Sequence, residues 1–223
     1  PLTRPGTLQA LLDLCGGERL ALLTLDMANP TGYGRIVRAV DGSVAAIVEQ
    51  KDASDAQRAI TEIYSGIMAV PTRLLRGWLA RLDNQNAQGE YYLTDVVKFA
   101  VADGQRVQAH RISDAVQVAG VNSPQQLAEL ERAHQKRVAE ALMAQGVRLA
   151  DPARLDVRGE LVCGQDVEID VNCVFEGRVV LGDGVRVGAN CVIAHATVEA
   201  GAVIEPFTHI DGAGAGVVVG AQA

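Results

Sequence analysis

The feature that most constrains this chain is a six-residue period of apolar side chains that begins at Val157. Seven apolar residues are spaced six positions apart, and the series resumes for three more after one five-residue step. A second series of mostly apolar residues lies four positions after each anchor. This period is typical of a parallel β-helix, in which each coil buries its anchors against the next coil. The anchors are Val157, Cys163, Ile169, Phe175, Leu181, Val187, Ile193, Val198, Ile204 and Ile210.

The part of the chain before residue 122 has a different pattern, in which strand-like and helix-like segments alternate. Such alternation predicts an α/β fold with a mainly parallel or mixed sheet covered by helices. Thr7 is the N-cap candidate of the first helix, and Pro71 lies in the opening turn of the second. The predicted strands are 19–25, 43–48, 63–70 and 106–112, and the predicted helices are 7–14, 71–82 and 94–102.

A long helix is predicted between the two patterns, at 124–145. Ser123 is its N-cap, Pro124 its first residue and Gln126 the partner in a capping box, while Gly146 provides a stop. The segment 122–150 is therefore expected to link two domains. Apolar spacing predicts one stripe along this helix, made of Leu127, Leu130, His134, Val138 and Leu142.

Composition excludes several classes of protein. The net charge is −7 and no basic tract exceeds two residues, so nucleic acid is not an expected partner. No apolar run reaches the roughly 18 residues that span a bilayer, and no signal peptide is visible. The four cysteines lack C-x-x-C spacing, which argues against zinc binding or a disulfide framework and favours a cytoplasmic location.

Five short motifs carry a resemblance to a known family. They are N-P-T-G-Y-G-R at 29–35, I-V-E-Q-K-D at 47–52, N-A-Q-G-E-Y-Y-L-T-D at 86–95, G-V-N at 120–122 and D-P-A-R at 151–154. With these motifs, the order of α/β half, helix and hexapeptide repeats resembles the bacterial bifunctional N-acetylglucosamine-1-phosphate uridylyltransferase and glucosamine-1-phosphate acetyltransferase family.

The resemblance implies an architecture for the whole chain. Residues 1–121 are expected to be the C-terminal part of a sugar nucleotidyltransferase domain with a Rossmann-like mixed sheet. Residues 122–150 form the linker helix, and 151–223 begin a left-handed parallel β-helix that belongs to the acetyltransferase domain.

The resemblance also implies binding residues. Gly34 is expected in the uracil–sugar pocket, where a residue without Cβ lets the backbone approach a ligand. Glu49 is expected to accept hydrogen bonds from N-acetylglucosamine hydroxyls, and the amide oxygen of Asn122 to help ligate Mg²⁺. Tyr64 stands where the family has a sugar-contacting Asn, and its phenol can donate and accept one hydrogen bond but cannot reproduce an amide.

Further residues of the same family motifs are expected to shape the acetamido side of the pocket: Glu90, Tyr91 and Thr94. The family's catalytic residues have no counterpart between Pro1 and Ala223. Its phosphate loop, catalytic Arg and Lys, and principal Mg²⁺ ligand are expected before Pro1, and its catalytic His and acetyl-CoA contacts after Ala223. The chain is therefore expected to be an inactive fragment, and His195 and His209 are predicted to be side chains on coil faces.

In the longer protein, the resemblance implies two reactions that together make UDP-N-acetylglucosamine. An acetyl group passes from acetyl-CoA to glucosamine-1-phosphate, and UTP then reacts with N-acetylglucosamine-1-phosphate with Mg²⁺ as cofactor. The family also implies a homotrimer. Two alternatives stay open: another sugar-1-phosphate nucleotidyltransferase with a β-helical tail, acting on glucose or mannose phosphate, and a non-catalytic assembly module.

Overall fold

The computed structural model of the protein describes residues 2–221 and 223. These residues form two compact units whose boundary in the sequence falls between Gly120 and Val121. None of the helices in the described residues is long and apolar enough to cross a membrane. The assignment of separate roles to 1–121, 122–150 and 151–223 stays a prediction.

The first unit is built on a five-stranded sheet. Its strands are β1 (Leu20–Asp26), β2 (Arg35–Arg38), β3 (Val44–Val48), β4 (Glu62–Ala69) and β5 (Val107–Ile112). They lie in the order β3-β2-β4-β1-β5, with β1 and β5 parallel and the other pairs antiparallel, so the sheet is mixed. The helices are α1 (Pro5–Cys15), α2 (Asp55–Arg58), α3 (Thr72–Leu79) and α4 (Asp95–Ala102).

Helices cover both faces of this sheet. Successive residues of β1 point to opposite faces, and both sets are buried. Ala21 and Leu23 pack with α1, whereas Leu20 and Leu22 pack with apolar side chains of α3 and α4, including Trp78. This arrangement matches the α/β class that the alternating sequence pattern predicts.

Two predicted helix boundaries in the first unit are wrong. Helix α1 begins at Pro5 with Arg4 as its N-cap. Thr7 therefore lies inside the helix, and its hydroxyl donates to Oε1 of Gln117 at 2.7 Å. Helix α3 ends at Leu79, three residues earlier than predicted, and Pro71 is its N-cap. The segment 80–82 leaves the helix in tight turns.

The second unit begins with α5 (Pro124–Ala144) and continues into short parallel strands. Ser123 is the N-cap, and its Oγ accepts from the N–H of Gln126 at 3.2 Å. The strands are β6 (Arg148–Leu149), β7 (Leu155–Cys163), β8 (Glu168–Ile169), β9 (Cys173–Leu181), β10 (Arg186–Val187), β11 (Val192–Ala194), β12 (Ala196–Val198), β13 (Val203–Ile204), β14 (His209–Asp211) and β15 (Val217–Val219).

These strands wind into a three-sided parallel β-helix. Strands β6, β8, β10 and β13 pair along one side. The first half of β9 pairs with β11 on the second side, and its second half pairs with β12 on the third. Leu155 pairs with Cys173, and Val174 with Val192, so each of these coils takes 18 residues, or three sides of six.

The interior of the β-helix is filled by the predicted series. Most of the anchors are buried, and Cys163 and Ile210 are partly buried. The second series also points inward, with Val179 and Cys191 fully buried, although Thr197 is exposed. All four cysteines are free thiols, and burial raises the pKa of Cys163 to about 11.

The corners of the coils use the left-handed backbone region. Along one edge Gly159, Gly177 and His195 follow each other at intervals of 18 residues, all with positive φ. A Cβ on Gly159 would lie 2.0 Å from the carbonyl oxygen of Gly177, so this corner needs a glycine. Along another edge the Nδ2 of Asn172 donates to Oδ1 of Asn190 at 3.0 Å.

Helix α5 packs on the coils through a face that matches the predicted stripe only in part, because Val138 and Leu142 contact the core. Its buried residues are Gln135, Ala139 and Leu142, while Leu127 is 58% exposed. The N–H of Val157 donates to Oε1 of Gln135 at 2.8 Å, and Nε2 of Gln135 donates to the carbonyl of Val157 at 2.9 Å. A polar residue therefore occupies the centre of the packed face because its amide pairs with a strand backbone.

Candidate functional site

Gly34 lies at the end of a turn that leads into β2. The N–H of Tyr33 donates to the carbonyl of Pro30 at 3.2 Å, and the N–H of Thr31 donates to Oδ1 of Asn29 at 3.2 Å. A Cβ on Gly34 would lie 2.8 Å from Cγ2 of Ile47 and 3.4 Å from a carboxylate oxygen of Glu49. A glycine is required here for space, because any side chain would push into the segment that carries Glu49.

Glu49 follows β3 directly and is partly buried. The hydroxyl of Thr94, at the N-cap of α4, donates to its Oε1 at 2.9 Å. This contact fixes the carboxylate from one side. Oε2 has no hydrogen-bond partner among the described residues, so Glu49 can accept a hydrogen bond from a ligand hydroxyl.

Tyr64 lies in β4 beside these two residues. Its N–H donates to the carbonyl of Gly34 at 2.9 Å, and only 9% of its surface is exposed. Burial, and to a lesser degree the charge of Glu49, raises the pKa of Tyr64 to about 12. Its phenol therefore stays neutral at ordinary pH and can donate a hydrogen bond.

A cavity of about 250 Å³ opens next to Glu49. The motif 47–52 forms one wall and the loop 83–95 forms another. The two are tied together, because the N–H of Ala87 donates to Oδ1 of Asp52 at 2.9 Å and Nζ of Lys51 donates to Oε1 of Gln88 at 2.6 Å. The polar lining side chains are Glu49, Asp52, Asp83, Gln85, Asn86, Tyr92, Thr94, Asp95 and Lys98.

The charge of this cavity indicates the class of ligand that it accepts. Four carboxylates line it, at Glu49, Asp52, Asp83 and Asp95, against the single amine of Lys98, which pairs with Asp95 at 3.0 Å. Carboxylates accept hydrogen bonds from hydroxyl and amide N–H groups and repel phosphate. The cavity therefore suits the hydroxyl-bearing end of a ligand rather than its phosphates.

The structure brings together four of the residues chosen from the sequence, namely Gly34, Glu49, Tyr64 and Thr94. Glu90 and Tyr91 are exposed and do not line this cavity, and their role on the acetamido side of the pocket stays a prediction. Three residues that do line it were missed as individual candidates, although each lies inside a quoted motif: Asp52, Asn86 and Tyr92.

Asn122 belongs to the second compact unit, and its place in the predicted pocket stays a prediction. Its side chain is exposed, and its backbone N–H donates to Oε1 of Gln126 at 2.7 Å. Within residues 2–221 and 223, no group of three or more acidic, His or Cys side chains is placed to hold a metal ion. A single neutral amide oxygen does not make a Mg²⁺ site, because Mg²⁺ is ordinarily held by one or two carboxylates.

The two candidate histidines of the β-helix have different positions. His209 lies in β14 and is exposed, in agreement with a coil-face side chain. His195 instead forms a corner, with φ +49°, so that prediction is wrong. It occupies the same corner as Gly159 and Gly177 in the two preceding coils, at intervals of 18 residues.

The fold and the repeat define the class of protein. Residues 161–195 match the family model described as bacterial transferase hexapeptide (six repeats). That match and the stacked 18-residue coils confirm the left-handed β-helix, and the mixed sheet of the first unit fits part of a nucleotidyltransferase domain. The chain thus combines a transferase-type β-helix with an α/β sheet.

Comparison with curated proteins identifies the family. The bifunctional protein GlmU of Polaromonas naphthalenivorans (strain CJ2) is 76% identical over 223 residues, which cover 99% of this chain and 47% of that protein. The GlmU of Polaromonas sp. (strain JS666 / ATCC BAA-500) is 73% identical over 99% of this chain and 47% of its own length. That of Paraburkholderia xenovorans (strain LB400) is 59% identical over 100% and 50%. The chain belongs to the GlmU family and spans about half the length of these curated relatives.

Proposed function

We propose that the first unit is the sugar-recognising part of a uridylyltransferase site, and that the second unit begins an acetyltransferase β-helix. The observation that carries this proposal is the convergence of Gly34, Glu49, Tyr64 and Thr94 beside an acidic cavity. The similarity to bifunctional GlmU proteins supports the same assignment.

Each residue has a distinct part in sugar binding. Glu49 accepts hydrogen bonds from sugar hydroxyls through the oxygen that Thr94 leaves free. Gly34 lets the turn lie close against Ile47 and Glu49, because a Cβ there would lie 2.8 Å from Cγ2 of Ile47. Tyr64 donates from its neutral phenol where the family has an amide. The acidic lining keeps the phosphates away from this end and so sets the orientation of the ligand.

In the longer protein, these contacts hold N-acetylglucosamine-1-phosphate while its phosphate oxygen attacks the α-phosphorus of UTP and pyrophosphate leaves. Mg²⁺ neutralises phosphoryl charge in that reaction when bound, and on the resemblance alone we propose Asn122 as one of its ligands. The other activity moves an acetyl group from acetyl-CoA to glucosamine-1-phosphate. We also propose that the whole protein is a cytoplasmic homotrimer.

Titration of this 223-residue chain with UDP-N-acetylglucosamine, followed by ¹⁵N NMR, tests the proposal. We expect shifts of the Gly34, Tyr64 and Thr94 amides and weak binding. Glu49→Gln removes the charged acceptor and is expected to weaken binding about tenfold or more, because hydrogen bonds to charged groups are the strong ones.

The matched control is Glu18→Gln, which removes an exposed carboxylate of the same unit outside the quoted motifs and is expected to leave the affinity unchanged. UDP-glucose should bind less well than UDP-N-acetylglucosamine. Because no residue of this sequence matches a catalytic residue of the family, we expect no release of pyrophosphate by this chain. Shifts confined to other residues, or an unchanged affinity in Glu49→Gln, would contradict the proposal.

A further inference from the structure

Arg35 is a buried cation without a counter-charge. Only 1% of its surface is exposed, and no carboxylate forms an ion pair with it among residues 2–221 and 223. Among the buried side-chain nitrogen and oxygen atoms of residues 2–221 and 223, only Nε of Arg35 lacks a hydrogen-bond partner. Burial lowers the pKa of the guanidinium. Buried charges are ordinarily paired, so this residue carries a cost that fold stability alone does not explain.

The contacts of Arg35 join the two segments that carry the sugar-facing residues. One terminal nitrogen donates to the carbonyl of Tyr33, in the turn that ends at Gly34. The other donates to Oε1 of Gln50 at 2.5 Å, one residue after Glu49. The guanidinium therefore spans from the Gly34 turn to the Glu49 segment.

The strand register places Arg35 at the centre of the same three residues. Arg35 pairs with Val48 of β3 and with Ile63 of β4, and each partner directly precedes a site residue. Gly34 thus directly precedes Arg35, while Glu49 and Tyr64 directly follow its two strand partners. Arg35 itself does not line the cavity beside Glu49, so it acts on the pocket through the segments that it joins.

We propose that Arg35 is a positioning residue that fixes the distance between Gly34 and Glu49 and so sets the shape of the sugar-binding pocket. This inference rests on the proposed function, because the pocket is the one assigned there to the sugar. Gly34 tolerates no Cβ next to Glu49, so a small movement of either segment alters the space available for a hydroxyl. Two hydrogen bonds from one rigid planar group hold that spacing better than a flexible amine can.

Arg35→Met and Arg35→Lys test this role in the complete 223-residue chain. Arg35→Met is expected to bind UDP-N-acetylglucosamine about tenfold more weakly, since two charge-assisted hydrogen bonds are lost. Arg35→Lys keeps the charge but reaches only one of the two acceptors, so it is not expected to restore the affinity. In the double variant Arg35→Met with Glu49→Gln, the loss of binding free energy should be smaller than the sum of the two single losses. The reason is that both changes act on the same carboxylate.

Arg38→Met is the matched control, because Arg38 is a second arginine of β2. Its Nη2 lies 2.7 Å from Oε1 of the buried Glu62, so its loss leaves an unpaired charge. We expect Arg38→Met to lower the unfolding temperature more than Arg35→Met does, and to leave the affinity unchanged below that temperature. Arg35 would have a purely structural role if Arg35→Met lowered the unfolding temperature more than Arg38→Met did and left the affinity unchanged.

Amide hydrogen exchange gives a measurement that needs no ligand. The N–H of Tyr64 donates to the carbonyl of Gly34, so it reports on the placement of the Gly34 turn. Arg35→Met should accelerate exchange at Tyr64 while leaving amides of β1 unchanged. If the wild-type chain binds no sugar nucleotide, the proposed function fails, and exchange at Tyr64 still decides the role of Arg35. The proposed role of Arg35 is overturned if Arg35→Met leaves exchange at Tyr64 unchanged. It is also overturned if the variant binds the sugar nucleotide as tightly as the wild type does.

Discussion

At the scale of single residues, the cavity beside Glu49 depends on the different surroundings of the two oxygens of that residue. Thr94 donates to Oε1, whereas Oε2 has no hydrogen-bond partner among the described residues. The acidic character of the cavity makes the neutral phenol of Tyr64 a useful donor, because a second anion there would be repelled. The raised pKa of Tyr64, which burial causes first and the charge of Glu49 second, keeps this donor neutral.

The pKa of Tyr64 leads to a prediction about stability at high pH. Because the folded-state pKa of about 12 lies above the unfolded value of about 10, the unfolded chain releases the proton first as the pH rises. The contribution of Tyr64 is fully present below pH about 10 and is lost towards pH about 12. Tyr64→Phe should therefore lose less unfolding free energy than the wild type between these values.

Urea denaturation of both chains at pH 8, 10 and 11 gives this comparison, and the difference between them removes the contribution of other titrating groups. Tyr91→Phe is the control, because Tyr91 is 68% exposed and should follow the wild type. An identical decline in wild type and Tyr64→Phe would show that the buried phenol does not titrate as described.

The motifs of the sequence predicted Gly34, Glu49 and Thr94 in the pocket, but they did not predict why these residues are needed. The space at Gly34 is limited by Ile47, which lies on another strand, and only the register of β2 and β3 shows this. Arg35 was not a candidate, because a charged residue at the end of a four-residue strand is typical of an exposed position. Its burial depends on contacts that are set by the fold.

At the scale of elements, helix α5 completes the first coil of the β-helix. The side-chain amide of Gln135 exchanges two hydrogen bonds with the backbone of Val157, as a neighbouring strand would. An open strand edge exposes unpaired N–H and C=O groups, and this amide pairs with one residue of that edge. The helix therefore supports the β-helix through hydrogen bonds as well as through Ala139 and Leu142.

Gln135→Ala is expected to destabilise the second unit by about 2–4 kcal/mol, because it leaves a buried N–H and a buried C=O of Val157 without partners. Urea denaturation followed by circular dichroism measures the change. Gln125→Ala, at an exposed position of the same helix, is expected to change the stability by less than about 0.5 kcal/mol. Equal effects of the two substitutions would mean that the Val157 contacts contribute little.

The hexapeptide period predicted the β-helix because its anchors meet the same interior in every coil, and that regularity is local in sequence. The details that the period did not predict are those that depend on an irregularity. One is the short connection at His195, where the five-residue step leaves a single residue between β11 and β12. Another is the packed face of α5, where hydrogen bonds to Val157 place Gln135 beside Val138 and Leu142 of the predicted stripe.

At the scale of the whole molecule, each unit has its own hydrophobic core. The first unit packs Leu20, Leu22 and Trp78 with the helices of its sheet, and the second packs the coil anchors around Phe175. The β-helix core is built from contacts between successive coils, so damage to one coil weakens its neighbours first. The cores draw on different residues, and we expect two separate unfolding transitions.

Phe175→Ala tests this expectation, because Phe175 is 1% exposed at the centre of the β-helix core. The substitution is expected to destabilise the second unit by about 3–5 kcal/mol through the cavity it leaves. Trp78 is the only tryptophan of the chain and belongs to the first core, so its fluorescence reports on the first unit alone. We expect Phe175→Ala to move the circular dichroism transition of the β-helix to lower urea while the fluorescence midpoint stays in place. Leu22→Ala should move the fluorescence midpoint to lower urea and leave the circular dichroism transition of the β-helix in place. If both transitions move in either variant, the two units unfold together.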